Sequence, residues 1–119
     1  MSLVWVFVGG GLGSLCRYGI SRIMVNYNLD FPLATFIANV VSCIILGYLI
    51  GLTLKDGLSE NAKLLLMTGF CGGFSTFSTF SVESFQLLQN GNTNTALLYI
   101  VVSIVVCVIG IWLGLKLAA

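Results

Sequence analysis

Four stretches of about 20 apolar residues follow one another along this chain, with only short polar connections between them. A helix of that length spans a hydrocarbon core of roughly 30 Å, and spans can be placed at residues 3–24, 31–54, 62–88 and 96–117. Hydrophobic residues make up 58% of the 119 positions, charged residues only 8%, and the mean hydropathy is +1.07, which no soluble domain of this size shows. The expectation is an all-α membrane protein, with residues 1–119 forming one four-helix transmembrane domain. Arg17 interrupts what would have to be the tail of a cleaved leader, so the first stretch reads as a membrane helix.

The connections carry turn chemistry: Asn26 to Asp30 before Pro32, Lys55 to Glu60 around Gly57, and Asn90 to Asn94 around Gly91. Such short links make successive helices antiparallel. Ser59 and Asn94 suit the N-caps of the third and fourth helices, and Pro32 suits the first turn of the second. Lys55, Lys63 and Lys116 fall at one membrane face, against Arg22 and the deeper Arg17 at the other. This bias is weak. It permits insertion in both orientations, and hence an antiparallel two-fold dimer, as well as a single orientation with both ends cytoplasmic.

Several classes are excluded. Net charge +1 without a basic run gives nucleic acid no purchase. Cys16, Cys43, Cys71 and Cys107 fall one to a helix, with no C-x-x-C pair and no histidine in the chain, so a zinc, haem or iron–sulfur centre has no ligand set. The cysteines read as small hydrophobes. No soluble portion remains for an enzyme, and the expectation is that the protein is not one.

Every helix also holds two glycines four apart: Gly9 with Gly13, Gly47 with Gly51, Gly69 with Gly73, and Gly110 with Gly114. Lipid supplies no hydrophobic force to press helices together, so bare backbone faces that allow close approach read as packing surfaces. The run of glycines from Gly9 to Gly13 is not a dinucleotide fingerprint, because it lies within a membrane helix rather than at a strand-to-helix turn.

The third stretch departs from the rest. Residues 68–81 read TGFCGGFSTFSTFS, with glycines, hydroxyls and phenylalanines where Leu, Ile and Val would be ordinary. Unpaired backbone groups are tolerated at membrane depth only where they face protein or a wet path. A break in this helix near Gly72 to Ser75 is therefore expected, of the kind that marks ion or substrate sites. Phe74, Phe77 and Phe80 recur every three residues among Ser75, Thr76, Ser78 and Thr79. Ring edges carry the positive part of the aromatic quadrupole, so edges, hydroxyls and amides together suit a small hydrated anion. Freed carbonyls at the same break suit a bare cation such as Na⁺.

Other polar positions lie within the spans. Thr35, Asn39 and Ser42 share one face of the second helix, as Tyr99 and Ser103 do on the fourth. Asn39 either bonds a neighbouring helix or turns its N–H donors to an anion path. Arg17 costs about 2.5–3.5 kcal/mol at membrane depth, and either snorkels to the interface or lends positive potential to a vestibule. Glu83, the one acid clearly within a span, lies near a helix end and is expected to reach the headgroups.

These residues resemble the bacterial fluoride channels called Fluc or CrcB. The run from Gly69 to Ser81 is similar to that family's signature almost throughout. Gly9-Gly10 through Arg17-Tyr18, Asn39, and Tyr99 with Ser103 support it, and the likeness spans the whole chain. It implies a dual-topology dimer of two antiparallel subunits in the bacterial cytoplasmic membrane, with two fluoride pores lined by both chains. Asn39, Phe77 and Phe80 would be pore residues, with Ser78, Thr79, Tyr99 and Ser103 along the track and Arg17 at the vestibule. Backbone carbonyls of Gly72 and Ser75 would hold a structural Na⁺ at the dimer interface. Ser75, Phe74, Ala34 and Ser42 depart from the usual Thr, Leu, Gly and Gly. Since Asn39, Phe77 and Phe80 are all present, a self-sufficient homodimer is favoured over a pair of related chains. The implied function is passive fluoride export. A proton-coupled small multidrug exporter of this length would need an acid early in the chain, and none precedes Asp30. A membrane scaffold or lysis pore would account for the glycines but not for the hydroxyl and aromatic array.

Overall fold

A computed structural model describes residues 2–25 and 31–119, so the turn expected at residues 26–30 falls outside the described residues. Among the described residues there are four helical spans: α1 (Ser2–Ile23), α2 (Leu33–Leu54), a composite third span over Glu60–Gln89, and α6 (Thr93–Ala118). The third span is divided into α3 (Glu60–Lys63), a π-helical segment (Leu64–Cys71), α4 (Gly72–Phe74) and α5 (Phe77–Gln89). Each span is long and apolar enough to cross a membrane.

The helix ends follow from local chemistry with two adjustments. Ser59 caps α3, its hydroxyl accepting from the Ala62 amide at 3.1 Å. Pro32 stands just before the first helical residue of α2, with φ −74°, and its carbonyl accepts from the Phe36 amide. Asn94 does not cap α6, which already begins at Thr93. A tight turn with Gly91 at φ +81°, closed by the Asn92 amide on the Leu87 carbonyl, starts the helix before Asn94 is reached.

Packing joins the spans into two parallel pairs, α1 with the third span and α2 with α6. The paired glycines are the seams. A methyl group on Gly13 would overlap the Phe70 carbonyl, and one on Gly73 the Gly10 carbonyl. Across the other seam, Gly47 meets the Ile111 carbonyl and Gly114 the Ile44 carbonyl. Gly9 faces Leu65 and Phe70, five residues apart, whereas Gly13 faces Phe70 and Phe74, four apart. The wider π turn thus keeps one face of the third span along α1 through a stretch where an ordinary helix would rotate away.

Gly72 and Gly73 are not where the helix breaks. Gly72 keeps helical angles (φ −64°, ψ −35°), and the chain extends only at Ser75 (φ −79°, ψ 156°) and Thr76 (φ −150°, ψ 119°). Gly73 serves close packing, while the break falls on residues whose side chains can cap what it exposes. Little apolar surface is enclosed. Ala38, Leu49, Phe74, Leu87, Ala96 and Tyr99 are buried, but Leu3, Phe7, Ile23, Leu54 and Leu117 point outward, as lipid-facing residues do.

Candidate functional site at the break in the third span

Breaking a helix strands amides and carbonyls, and the sequence supplies partners for two of the stranded amides. In a continuous helix the Thr76 amide would bond the Gly72 carbonyl, and the Thr79 amide the Ser75 carbonyl. Instead, the Thr76 N–H donates to Asn39 Oδ1 at 2.8 Å, and the Thr79 N–H donates to Thr76 Oγ1 at 3.2 Å, the N-cap of α5. Asn39 Nδ2 donates back to the Thr76 carbonyl at 3.3 Å. This reciprocal pair sets the amide's orientation and clamps the extended residue. Below the break, the Cys71 carbonyl accepts from the amide and hydroxyl of Ser75 and from Ser42 Oγ at 3.2 Å. Arg17 Nε donates to the Gly73 carbonyl at 3.3 Å.

Two clefts flank this clamp. One, of about 260 Å³, is lined by Asn39, Cys43, Ser75, Thr76, Phe77, Phe80, Ser103, Ile104 and Cys107. The other, of about 370 Å³, is lined by Ser14, Arg17, Tyr18, Ser21, Ala34, Thr35, Thr79 and Glu83. They share no residue, and the first turn of α5 stands between them with Thr76 on one side and Thr79 on the other. Of the residues singled out in the sequence, Asn39, Phe77, Phe80 and Ser103 meet in the first cleft, Arg17 and Thr79 in the second. Arg17 is part-buried and tied to the break, so it does not simply snorkel. Ser78 is exposed and lines neither cleft, although its hydroxyl lies 3.4 Å from that of Thr76. Gly72 is also exposed, with open space where a side chain would be.

The aromatic stripe is continuous with the core. The Phe80 ring lies 5.9 Å from Phe77 and 5.0 Å from Tyr99, which in turn makes an edge contact with Phe31 at 5.1 Å. Phe77 is 79% exposed, a ring with one face against Phe80 and most of its surface free of the chain. Tyr99, fully buried, is anchored by its hydroxyl rather than lining either cleft.

That anchor is Glu83, and here the expectation fails. Glu83 does not reach outward to headgroups. Its Oε2 accepts from Thr35 Oγ1 at 3.1 Å and its Oε1 from Tyr99 OH at 3.0 Å, joining α2, α5 and α6. Two inward hydroxyl donors satisfy the carboxylate at membrane depth more fully than a long reach to the interface would. The signal was present in the spacing, since Thr79 and Glu83, four apart, fall on one helical face. Glu83→Gln, which replaces one acceptor oxygen with an NH₂, is expected to leave one hydroxyl unpaired and cost about 1–3 kcal/mol. Thermal unfolding in detergent checks this. Adding Thr35→Val should recover part of the loss, and a single variant that melts with the wild type would contradict the bridge.

A small multi-pass membrane protein, with one span broken at membrane depth and hydroxyls, an amide and aromatic rings gathered at the break, belongs to the class that moves small solutes or ions through the protein interior. A model of the family described as CrcB-like protein, Camphor Resistance (CrcB), matches residues 4–115, and the chain belongs to that family. Among its relatives, the fluoride-specific ion channel FluC of Azobacteroides pseudotrichonymphae is 47% identical over 92% of this chain and 89% of its own length. Proteins of the same name from Methylobacillus flagellatus and Pyrococcus abyssi are 44% and 46% identical, covering 94% and 95% of this chain and 90% and 92% of theirs.

Proposed function

We propose that the chain is the subunit of a fluoride-selective channel that releases the anion passively from the cytoplasm across the cell membrane. The observation that carries this reading is the clamp at Thr76, which holds open a helix break beside hydroxyls and phenylalanine rings. Fluoride is small and strongly hydrated, and it gives up water only to donors that replace it. A bare cation in direct contact would hold it too tightly to let it pass. The first cleft contains no cationic side chain, and Arg17 stands in the second. The positive end of the α5 dipole falls at the break as well. The names carried by the similar proteins favour fluoride as the ion. Asn39, Phe77 and Phe80 act as pore residues in this reading, with Ser78, Thr79 and Ser103 along the path, Tyr99 supporting the Phe80 ring from behind, and Arg17 drawing anions to the vestibule.

The path is completed by a second copy in antiparallel orientation, forming a homodimer within the lipid of the cytoplasmic membrane. Phe77, Ser78 and Ser81 lie exposed along α5 with Gly72 nearby, a face poorly suited to lipid and suited to protein. The same break fits a structural Na⁺. The carbonyls of Gly72 and Ser75 are the two whose helical amides are diverted to Asn39 and Thr76, which leaves hard oxygen donors of the kind such a cation takes. Carbonyls from two chains would surround it, and the ion would supply a fixed positive charge joining the subunits.

Liposomes loaded with fluoride, with chloride as the control ion, test the reading through a fluoride-selective electrode. Rapid fluoride loss with chloride retained is expected for the purified chain alone, and loss of neither ion would remove the proposal. Phe80→Ile, which takes away the ring between Phe77 and Tyr99, is expected to abolish efflux while the dimer still elutes as such. Efflux at the wild-type rate would remove Phe80 from the pore.

A further inference from the structure

Two free thiols have no part in the reading above. Cys43 on α2 and Cys107 on α6 both line the first cleft. The α2 and α6 seam places them together: the Cys43 Cβ lies 3.6 Å from where Gly110 would carry a side chain, and Cys107 precedes Gly110 by about one turn. Both thiols therefore border one space from two helices that pack on each other. Ser103, one turn before Cys107 in the same cleft, has a buried hydroxyl with no hydrogen-bond partner.

We infer that Cys43 and Cys107 form a dithiol site for a soft two-coordinate metal cation, and that its occupation blocks the conduction cleft. Two thiolates satisfy a d¹⁰ cation such as Hg²⁺, whose preference for sulfur is strong. Tetrahedral Zn²⁺ would need further ligands, and no group of three or more His, Cys, Asp or Glu residues occurs among the described residues. The reaction balances without an oxidant: two S–H groups lose their protons to solvent, two S–Hg bonds form, and the neutral product suits a cleft walled by Ile104 and phenylalanine rings. The bound metal would sit beside Asn39, Phe77 and Ser103. Block of flux rests on the proposed function, whereas binding of the metal does not.

The test uses the reduced full-length chain carrying Cys16→Ala, which removes the exposed thiol. Titration with Hg²⁺ against an excess of monothiol is followed by the ultraviolet mercury–thiolate band and by metal content. One Hg²⁺ per chain is expected, with affinity falling at least about tenfold when either Cys43 or Cys107 becomes Ala, because the second thiol acts intramolecularly. Cys71→Ala should bind as the reference does. Ser variants at 43 and 107, checked by elution profile, separate loss of the site from loss of fold. Binding unchanged in either Ala variant would overturn the inference. In liposomes, the ratio of fluoride efflux with and without Hg²⁺ should fall at least tenfold in the reference and return with a dithiol chelator. Full efflux with metal bound would overturn the block, while absence of efflux before metal is added would instead count against the channel reading.

Discussion

Asn39→Asp is expected to abolish fluoride efflux, lowering the initial rate in liposomes at least about a hundredfold. The substitution is nearly isosteric, and one carboxylate oxygen can still accept from the Thr76 amide. The other would face the Thr76 carbonyl, where Asn39 Nδ2 now donates at 3.3 Å. Acceptor then opposes acceptor, and an unpaired negative charge enters the cleft through which an anion is proposed to pass. An uncompensated charge at a part-buried site costs about 3–5 kcal/mol, and each 1.4 kcal/mol is about a tenfold change in population. Asn39→Ala should also lose efflux, but through release of the clamp rather than through charge. The two can be told apart by thermal unfolding at low pH, where protonation restores a donor to Asp but does nothing for Ala. Wild-type efflux in Asn39→Asp would take Asn39 out of the path.

The second large effect belongs to assembly. Gly47→Val is expected to prevent α2 from seating on α6, so that the chain inserts but does not elute as a folded species. The first carbon of the new side chain would already overlap the Ile111 carbonyl, a backbone atom that cannot rotate away. Overpacking costs about 1–3 kcal/mol even where side chains can adjust, and membrane helices have no hydrophobic force to recover it. Gly19→Ala is the control, since nothing lies within 4 Å of the position the methyl would take. A gel-filtration profile unchanged in Gly47→Val would mean that this seam does not hold the helices together.

The four spans, the paired glycines and the presence of a break in the third span were legible because each follows from a local rule. Twenty apolar residues cross hydrocarbon, glycines four apart share a face, and a run of hydroxyls at membrane depth needs a reason. Less legible was the division of labour within that run. Gly72-Gly73 resembles a break and is helical, because Gly73 is needed for contact with Gly10. Ser75 and Thr76 take the extended conformation because Asn39, a residue 37 positions away, provides the bonds that the helix gives up. Glu83 was misread for a related reason. Position near a helix end suggests an outward carboxylate, but its donors come from α2 and α6.

By itself the sequence determined that this chain is a four-helix membrane protein, which residues form its close-packed seams, and that its chemistry lies in the third span. Those properties depend on hydropathy, side-chain size and backbone propensity, all of which act over a few neighbouring residues. Only the tertiary structure decided where the break falls, which carbonyls it frees, which way Glu83 turns, and that Cys43 and Cys107 line one cleft. Each of these turns on which donor or side chain arrives from another helix. A broken backbone in hydrocarbon is stable only when such a partner is in place, so the packing of the spans, rather than any segment alone, sets the geometry of the site.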